Sequence, residues 1–376
     1  MTRLLAAAAL LPLLSACVVR GDVDLEIDTR ERAPWERVEP MALLAAPESA
    51  PMSRIVFGSC LRQKEPAPIL AAMAEQQPDL AVMLGDNVYG DVRDLGDARM
   101  TELVEAYNTL GQHEEFTALR KTVPMLTVWD DHDYGLNDQG GSYPRKEVAE
   151  DIYMRAWDID PNDERRSREG VYTAKTYGPE GQRVQIILLD TRYFRDDLLA
   201  TDERGAPGKE RYLPKDDPGA QMLGAVQEAW LAEVLREPAD LRVLVSSIQI
   251  LAEGHGWEAW RTLPGARERL YGIIEESGAT NIVAVSGDRH LGGLYAREDV
   301  LPFTLHEMTA SSLNAPQSAG RTRRGETAHE PGPYRQGLPV YVENFGEMEI
   351  DWQASTVRLS VRGMSGEALR VKQIAF

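Results

Sequence analysis

Six strongly apolar runs, each ending on or beside a residue able to bind a cation, constrain this chain more than any other feature. They are "RIVFGSC" (54–60), "DLAVMLGD" (79–86), "VPMLTVWDD" (123–131), "VQIILLDTR" (184–192), "RVLVSSIQI" (242–250) and "NIVAVSGDRH" (281–290). Continuous Val, Ile and Leu marks strands buried on both faces, as in a parallel or mixed sheet covered by helices. Helical patterns over 67–77, 97–120, 145–157, 225–235 and 265–278 fill the intervals. Cys60, Asp86, Asp131, Asp190, Gln249, Asp288 and His290 fall at or just past the C-terminal ends of the runs, the edge where open sheets place ligands. A helix cap or a turn explains one such position. Six strands ending this way converge their side chains on one cleft.

The third run ends in "WDDHDYG" (129–135), which sets three carboxylates around one imidazole. Acids this close raise one another's pKa unless a cation or a hydrogen-bond network lies among them. A metal site is one reading; a helix N-cap followed by turn residues is the other. The tail differs from the rest: 341–352 and 355–364 alternate with period two and read as hairpin strands closing a second sheet, while 318–337 reads as a long surface loop.

With 41 Lys and Arg against 60 Asp and Glu, the formal charge is -19. Such a chain lacks the basic footprint of nucleic-acid binding, so no stable nucleic-acid complex is expected, although a local anion site is compatible with it. "MTRLLAAAALLPLLSAC" has the basic, apolar and small-residue order of an export signal and is too short to span a membrane comfortably. Its end, "LSAC", resembles a bacterial lipobox. The expectation is a signal peptide over 1–16, an acylated Cys17, a Pro-punctuated tether with one short packed piece over 17–53 and one catalytic domain over 54–376. The product is an exported lipoprotein, held on a membrane by lipid and facing the periplasm or cell exterior. Cys60 is then the one remaining cysteine and has no disulfide partner within the chain, so it is either buried and inert or held as a thiolate by a metal.

"GSC", "GDNVYGD", "WDDHD", "LDTRYF", "SSIQ" and "SGDRH", in this order and followed by "ENFG" at 343–346, closely resemble the PhoD-like alkaline phosphatases. These are a branch of the calcineurin-like and purple-acid-phosphatase-like metallophosphoesterases. The resemblance runs from Arg54 to the C-terminus. It implies an α/β (α+β) fold, a four-layer αββα sandwich with two central mixed β-sheets, and hydrolysis of phosphate monoesters, diesters or both outside the cytoplasm. It further implies that Asp86 bridges two metals and that Cys60, Tyr89 and His290 complete an Fe3+ site. Asp131 and Asp288 stand where the wider superfamily uses Asn and His, which makes an oxygen-rich second site suited to Ca2+; Zn2+ or Mn2+ is the alternative. Thiolate, phenolate, carboxylate and imidazole together suit a trivalent ion, and a carboxylate-rich position suits a hard divalent one.

The same resemblance sets His132 against the phosphate or its leaving oxygen, with Asp133 orienting the ring. Arg62 and Arg192 are candidates for phosphate contact, Gln249 for the second metal, and Asp190 and Asn344 for support of the shell, while strand alternation turns Arg289 away. The implied mechanism is in-line attack by a metal-activated hydroxide. The alternative is a non-catalytic exported lipoprotein that binds metal or a phosphoryl ligand with the same scaffold. Substrate specificity is expected from the polar loops at 91–98, 134–145, 193–219 and 314–337.

Overall fold

The computed structural model describes residues 33–317 and 332–376. Strands β1 (Arg54–Gly58), β2 (Leu80–Met83) and β3 (Met125–Thr127) run parallel, joined by α1 (Ile69–Glu75), α2 (Thr101–Gln112) and α3 (Glu114–Arg120). A single-turn α4 (Asp131–Tyr134) and α5 (Lys146–Ala156) follow. The second half supplies β4 (Thr173–Tyr177), β5 (Val184–Leu188), the short pair β6 (Leu199–Ala200) and β7 (Tyr212–Leu213), α6 (Gly224–Val234) and β8 (Leu241–Ser246). Then come α7 (Pro264–Ser277), β9 (Ile282–Ser286), β10 (Gly292–Arg297), β11 (Leu305–Ala310), β12 (Phe345–Asp351), β13 (Thr356–Arg362) and β14 (Ala368–Ala375).

Two six-stranded sheets result, ordered β14-β13-β12-β1-β2-β3 and β10-β11-β9-β8-β5-β4. Period-two alternation decides what each residue packs against. In the second sheet Val243, Val245, Val283 and Val285 join the core shared with the first sheet, whereas Leu244, Ile282 and Ala284 join a separate core with Leu231 of α6 and Leu270 of α7. Leu70, Leu103, Tyr107, Leu110 and Phe116 pack helices α1 to α3 onto the first sheet. The layers therefore run helix, sheet, sheet, helix, and the parallel strands are buried throughout apart from the first residue of β1, the centre of β3 and His306 in β11, which explains the unbroken apolar runs.

One expectation needs correction. The tail hairpin does not close a second sheet: β12 pairs antiparallel with β1, placing Ile55 opposite Met348, so β12 to β14 extend the first sheet. Alternation reveals strands but not their partners. The packed body also begins before Arg54, because Val38, Met41 and Met52 are buried and the Met41 N–H donates to the Ala156 carbonyl at 2.8 Å. These residues fall within 17–53, in the short packed piece expected of that tether. The expected signal peptide and Cys17 lie outside the described residues. Among the described residues, no helix is long and apolar enough to cross a membrane.

Candidate metal centre

The site forms where β1, β2, β3 and β9 end together. Gly85, at φ 100°, sits where a Cβ would fall 2.5 Å from Asp130 Cβ, and a Cβ on Gly287 would fall 2.6 Å from Ser59 Oγ. These two glycines let the strand ends approach closely enough for their next residues to meet. Asn87 ties the β2 and β3 ends together: its N–H donates to Asp133 Oδ1 at 3.0 Å and its Nδ2 to the Val128 carbonyl at 2.9 Å. Cys60, Asp86, Asp288 and His290 all adopt positive φ, at 59°, 50°, 67° and 55°. Each such backbone costs roughly 1–3 kcal/mol and persists where the surroundings enforce it. Four of the expected ligands carry that strain.

Side-chain donor atoms of Cys60, Asp86 and His290 lie within 4.8 Å of one another, as do those of Asp86, Asp130, Asp131 and Asp288. Cys60 Sγ is 3.5 Å from Asp86 Oδ2, and the Tyr89 hydroxyl is 3.3 Å from that same oxygen and 3.2 Å from His290 Nε2. His290 Nδ1 donates to the Ala315 carbonyl; a carbonyl only accepts, so Nδ1 carries the proton and Nε2 presents a lone pair to the cluster.

Electrostatics calls for a cation here. Burial pushes the Cys60 thiol up to about 12, with Asp288 adding to the effect. Burial, with Cys60, Asp131 and Asp130, raises Asp86 well above the carboxylate range despite His132. Asp288 rises to about 7 for the same reasons, burial first and Asp131 next. Burial also disfavours ionised Asp131, but His132, Arg192 and the Asp138 N–H outweigh it and hold that carboxyl below its usual value. Asp86 Oδ1 and Asp130 Oδ2 are buried without a hydrogen-bond partner. Orphaned carboxylate oxygens facing other acids are the donors that a bound cation satisfies. The residues therefore fit metal on both sides of Asp86, with sulfur, phenol and imidazole on one side and carboxylates on the other.

His132 stands beside the cluster with its ring 4.3 Å from that of Tyr89. Burial lowers its pKa, but Asp131, Asp86 and Asp91 together push it up to about 11. Its Nδ1 donates to Asp91 at 2.9 Å, so Asp91, not Asp133, orients the ring. Asp133 is instead a cap: its carboxylate accepts the Asp130 N–H at 3.0 Å and the Asn87 N–H. The opening acids of "WDDHD" thus divide between the two readings, Asp131 facing the cluster and Asp133 holding the turn.

Arg192 is completely buried, with Nε 2.6 Å from Asp130 Oδ1 and Nη1 2.7 Å from Glu258 Oε2, so it props up the cluster from behind and does not reach a substrate. Gln249 spends its amide on Tyr295 (2.9 Å) and Thr309 (3.0 Å) and its carbonyl on His255 (3.2 Å), away from the cluster. Ser247 takes the role expected of β8, donating to Asp130 Oδ1 at 2.6 Å. Asp190 accepts the N–H groups of Val171, Arg192 and Tyr193, and the Asn344 amide caps the Val342 carbonyl at 2.8 Å; both hold backbone. Arg62 does reach the site: it lies over Tyr89 on the rim of a cavity of about 630 Å³ whose floor is Asp131, Asp288 and His290. Arg289 does not turn away but lines the same cavity.

The family model for PhoD-like phosphatase matches residues 55–361. The chain belongs to the PhoD-like phosphatase family. Among curated relatives it is 27% identical over 281 residues to alkaline phosphatase D of Bacillus subtilis (strain 168), covering 64% of this chain and 46% of that protein. The chain thus spans about half the length of that curated relative. The solved structure of PhoD matches with a TM-score of 0.65 at 20% identity, over 89% of this chain and 70% of the other. GAP50, the anchor in the inner membrane complex of Plasmodium, matches with a TM-score of 0.53 at 13% identity, over 87% and 90% of the two chains. At such identities these structures establish a shared fold. Family membership and the acidic groups together make this a metal-binding site of a phosphatase fold.

Proposed function

We propose that this protein hydrolyses phosphate monoesters, diesters or both at the cell envelope, with Fe3+ held by Cys60, Asp86, Tyr89 and His290 and Ca2+ by Asp86, Asp131 and Asp288. The observation that carries the proposal is the strained donor cluster, with a buried and unsatisfied Asp86 oxygen, that reaches an open cavity through Asp131, Asp288 and His290. Cations bound there supply Lewis acidity toward phosphoryl oxygens and lower the pKa of water. Arg62 on the rim offers a planar fork to the phosphoryl group. His132, fixed through Nδ1 by Asp91, keeps Nε2 for the leaving oxygen, where it orients the ester and delivers a proton.

The test combines elemental analysis with phosphate release from a panel of mono- and diesters, before and after chelation. Release that stops on chelation and returns with metal is expected. Tight metal retention without release supports the non-catalytic ligand-binding alternative, and neither result together sinks both. Iron bound by thiolate and phenolate gives a visible charge-transfer band, so Cys60→Ser should shift that band and reduce iron content. A colourless, active enzyme with stoichiometric zinc and a fully active Cys60→Ser variant overturns the mixed-metal assignment.

The envelope location rests on "LSAC" after an apolar run. Two or three acyl chains on Cys17 at about 0.8 kcal/mol per buried methylene give stable anchoring. Intact-mass measurement of the membrane-extracted protein should show an acylated N-terminal Cys17; an unmodified thiol or cleavage elsewhere refutes it.

A further inference from the structure

Arg62 opens an irregular turn, closed by the Glu65 N–H donating to its carbonyl at 3.0 Å. The remaining backbone groups of such a turn need partners from elsewhere in the chain. Asn314 supplies them. It lies in the loop that leaves β11, and its side-chain oxygen accepts the Arg62 N–H at 2.7 Å. Its Nδ2 donates to the carbonyls of Arg62, Glu65 and Pro66 at 3.1, 3.2 and 3.3 Å. An Asn amide offers one acceptor and two donors on a short stem; Asp lacks the donors and Ala lacks both. The turn that follows β1 of the first sheet thus closes around a side chain brought from the second.

Both loops have anchors besides this amide. The Leu313 N–H donates to the Ser59 carbonyl at 3.0 Å and the Gln317 N–H to the His290 carbonyl at 2.7 Å, which seats 313–317 through its own backbone. Gln63 pairs with the Tyr89 backbone, accepting at 2.9 Å and donating at 3.1 Å, and His113 Nε2 donates to the Glu65 carbonyl at 2.9 Å. The contact that Asn314 adds is with Arg62, whose N–H and carbonyl it engages together. A guanidinium rides on a long stem, so the backbone from which the stem leaves decides where the charge is held. Here it is held 5.6 Å from the centroid of the Tyr89 ring, and Arg62 and Asn314 both line the cavity over the cluster.

We infer that Asn314 is a positioning residue for Arg62: by clamping the 62–66 turn it aims the guanidinium at the phosphoryl group. The inference rests on the phosphoryl role given to Arg62 above and is tested by binding, with inorganic phosphate titrated calorimetrically into the metal-replete full chain. Arg62→Ala should weaken binding about 10-fold, the scale of a lost charged hydrogen bond. Asn314→Ala should weaken it about 5-fold, and in the Arg62→Ala background it should add less than about 2-fold, because the two residues act through one guanidinium. Metal content measured on the same samples should be unchanged, since the ligand loops keep their backbone anchors. Unchanged affinity in Arg62→Ala refutes the phosphoryl role of that arginine and the inference with it. A loss in Arg62→Ala with none in Asn314→Ala, or losses that multiply in the double variant, overturns the inference alone. Metal depletion in Asn314→Ala also overturns it, by showing that the amide supports the ligand loops and does not act through Arg62.

Discussion

Asp86→Asn should lower kcat/KM by about 10³-fold or more, equivalent to about 4 kcal/mol of barrier, while making the metal-free protein more resistant to heat. Asp86 belongs both to the group with Cys60 and His290 and to the group with Asp130, Asp131 and Asp288, so it is the side chain through which the sulfur-containing and carboxylate-rich halves communicate. An amide keeps one oxygen donor but removes the charge that a bridging position needs. The loss falls on metal content as well as on rate, and elemental analysis of the variant should show depletion on both sides of the bridge.

The stability effect has the opposite sign. Burial, Cys60, Asp131 and Asp130 raise the folded-state pKa of Asp86 well above its value in the unfolded chain. An acid with a raised folded pKa binds more protons when folded, so metal-free stability falls as pH rises from the unfolded pKa through the folded one. Asn carries no such penalty. Chelator-treated Asp86→Asn should therefore melt above chelator-treated parent at neutral pH, with the gap narrowing toward pH 4. In metal-replete protein the order reverses, because cations bound only by the native state add to its stability. A lower midpoint for the variant under both conditions would mean that Asp86 acts as a packing residue and not as a ligand whose charge awaits a metal.

Strand ends are legible in this sequence because burial on both faces forces unbroken apolar runs, and a polar residue that ends such a run must lie at the sheet edge. Cys60, Asp86, Asp131, Asp288 and His290 follow from that rule, and the structure brings them together. The rule gives the sheet edge but not the course of the loop beyond it. Gln249 lies three residues past β8, as Asp86 lies three past β2, but its side chain is spent on Tyr295 and Thr309, and Ser247 meets Asp130 in its place. Arg192 fails for another reason: a sequence does not distinguish an arginine that grips substrate from one buried against Asp130 and Glu258, and Glu258 sits in an aperiodic loop that nothing flags. Asp91 did carry a signal, as the closing acid of "GDNVYGD", but its partner was hidden until His132 was seen beside it. The partial burial pattern of β4, with polar Thr and Lys among its residues, likewise hides a strand whose pairing with β5 is plain in three dimensions.

That Asp91–His132 contact sets up the second large effect. His132→Ala should reduce kcat by about 10²-fold for an alkyl phosphate, the scale of a lost general acid. The imidazole is placed for this task by geometry: Nδ1 is committed to Asp91, Tyr89 packs on the ring, and the side chain lines the cavity above Asp131. Proton delivery matters in proportion to the basicity of the leaving oxygen, so the loss should shrink to roughly 10-fold or less for nitrophenyl phosphate, whose phenolate departs without a proton. Asp91→Asn should follow the same leaving-group trend with a smaller amplitude, since an amide oxygen still accepts from Nδ1 but no longer favours the charged ring. Equal losses for both esters in His132→Ala would assign the residue to holding the phosphoryl group or the metals instead. Metal content measured on the same sample separates those two roles, because a positioning residue leaves the ions in place and a ligand does not.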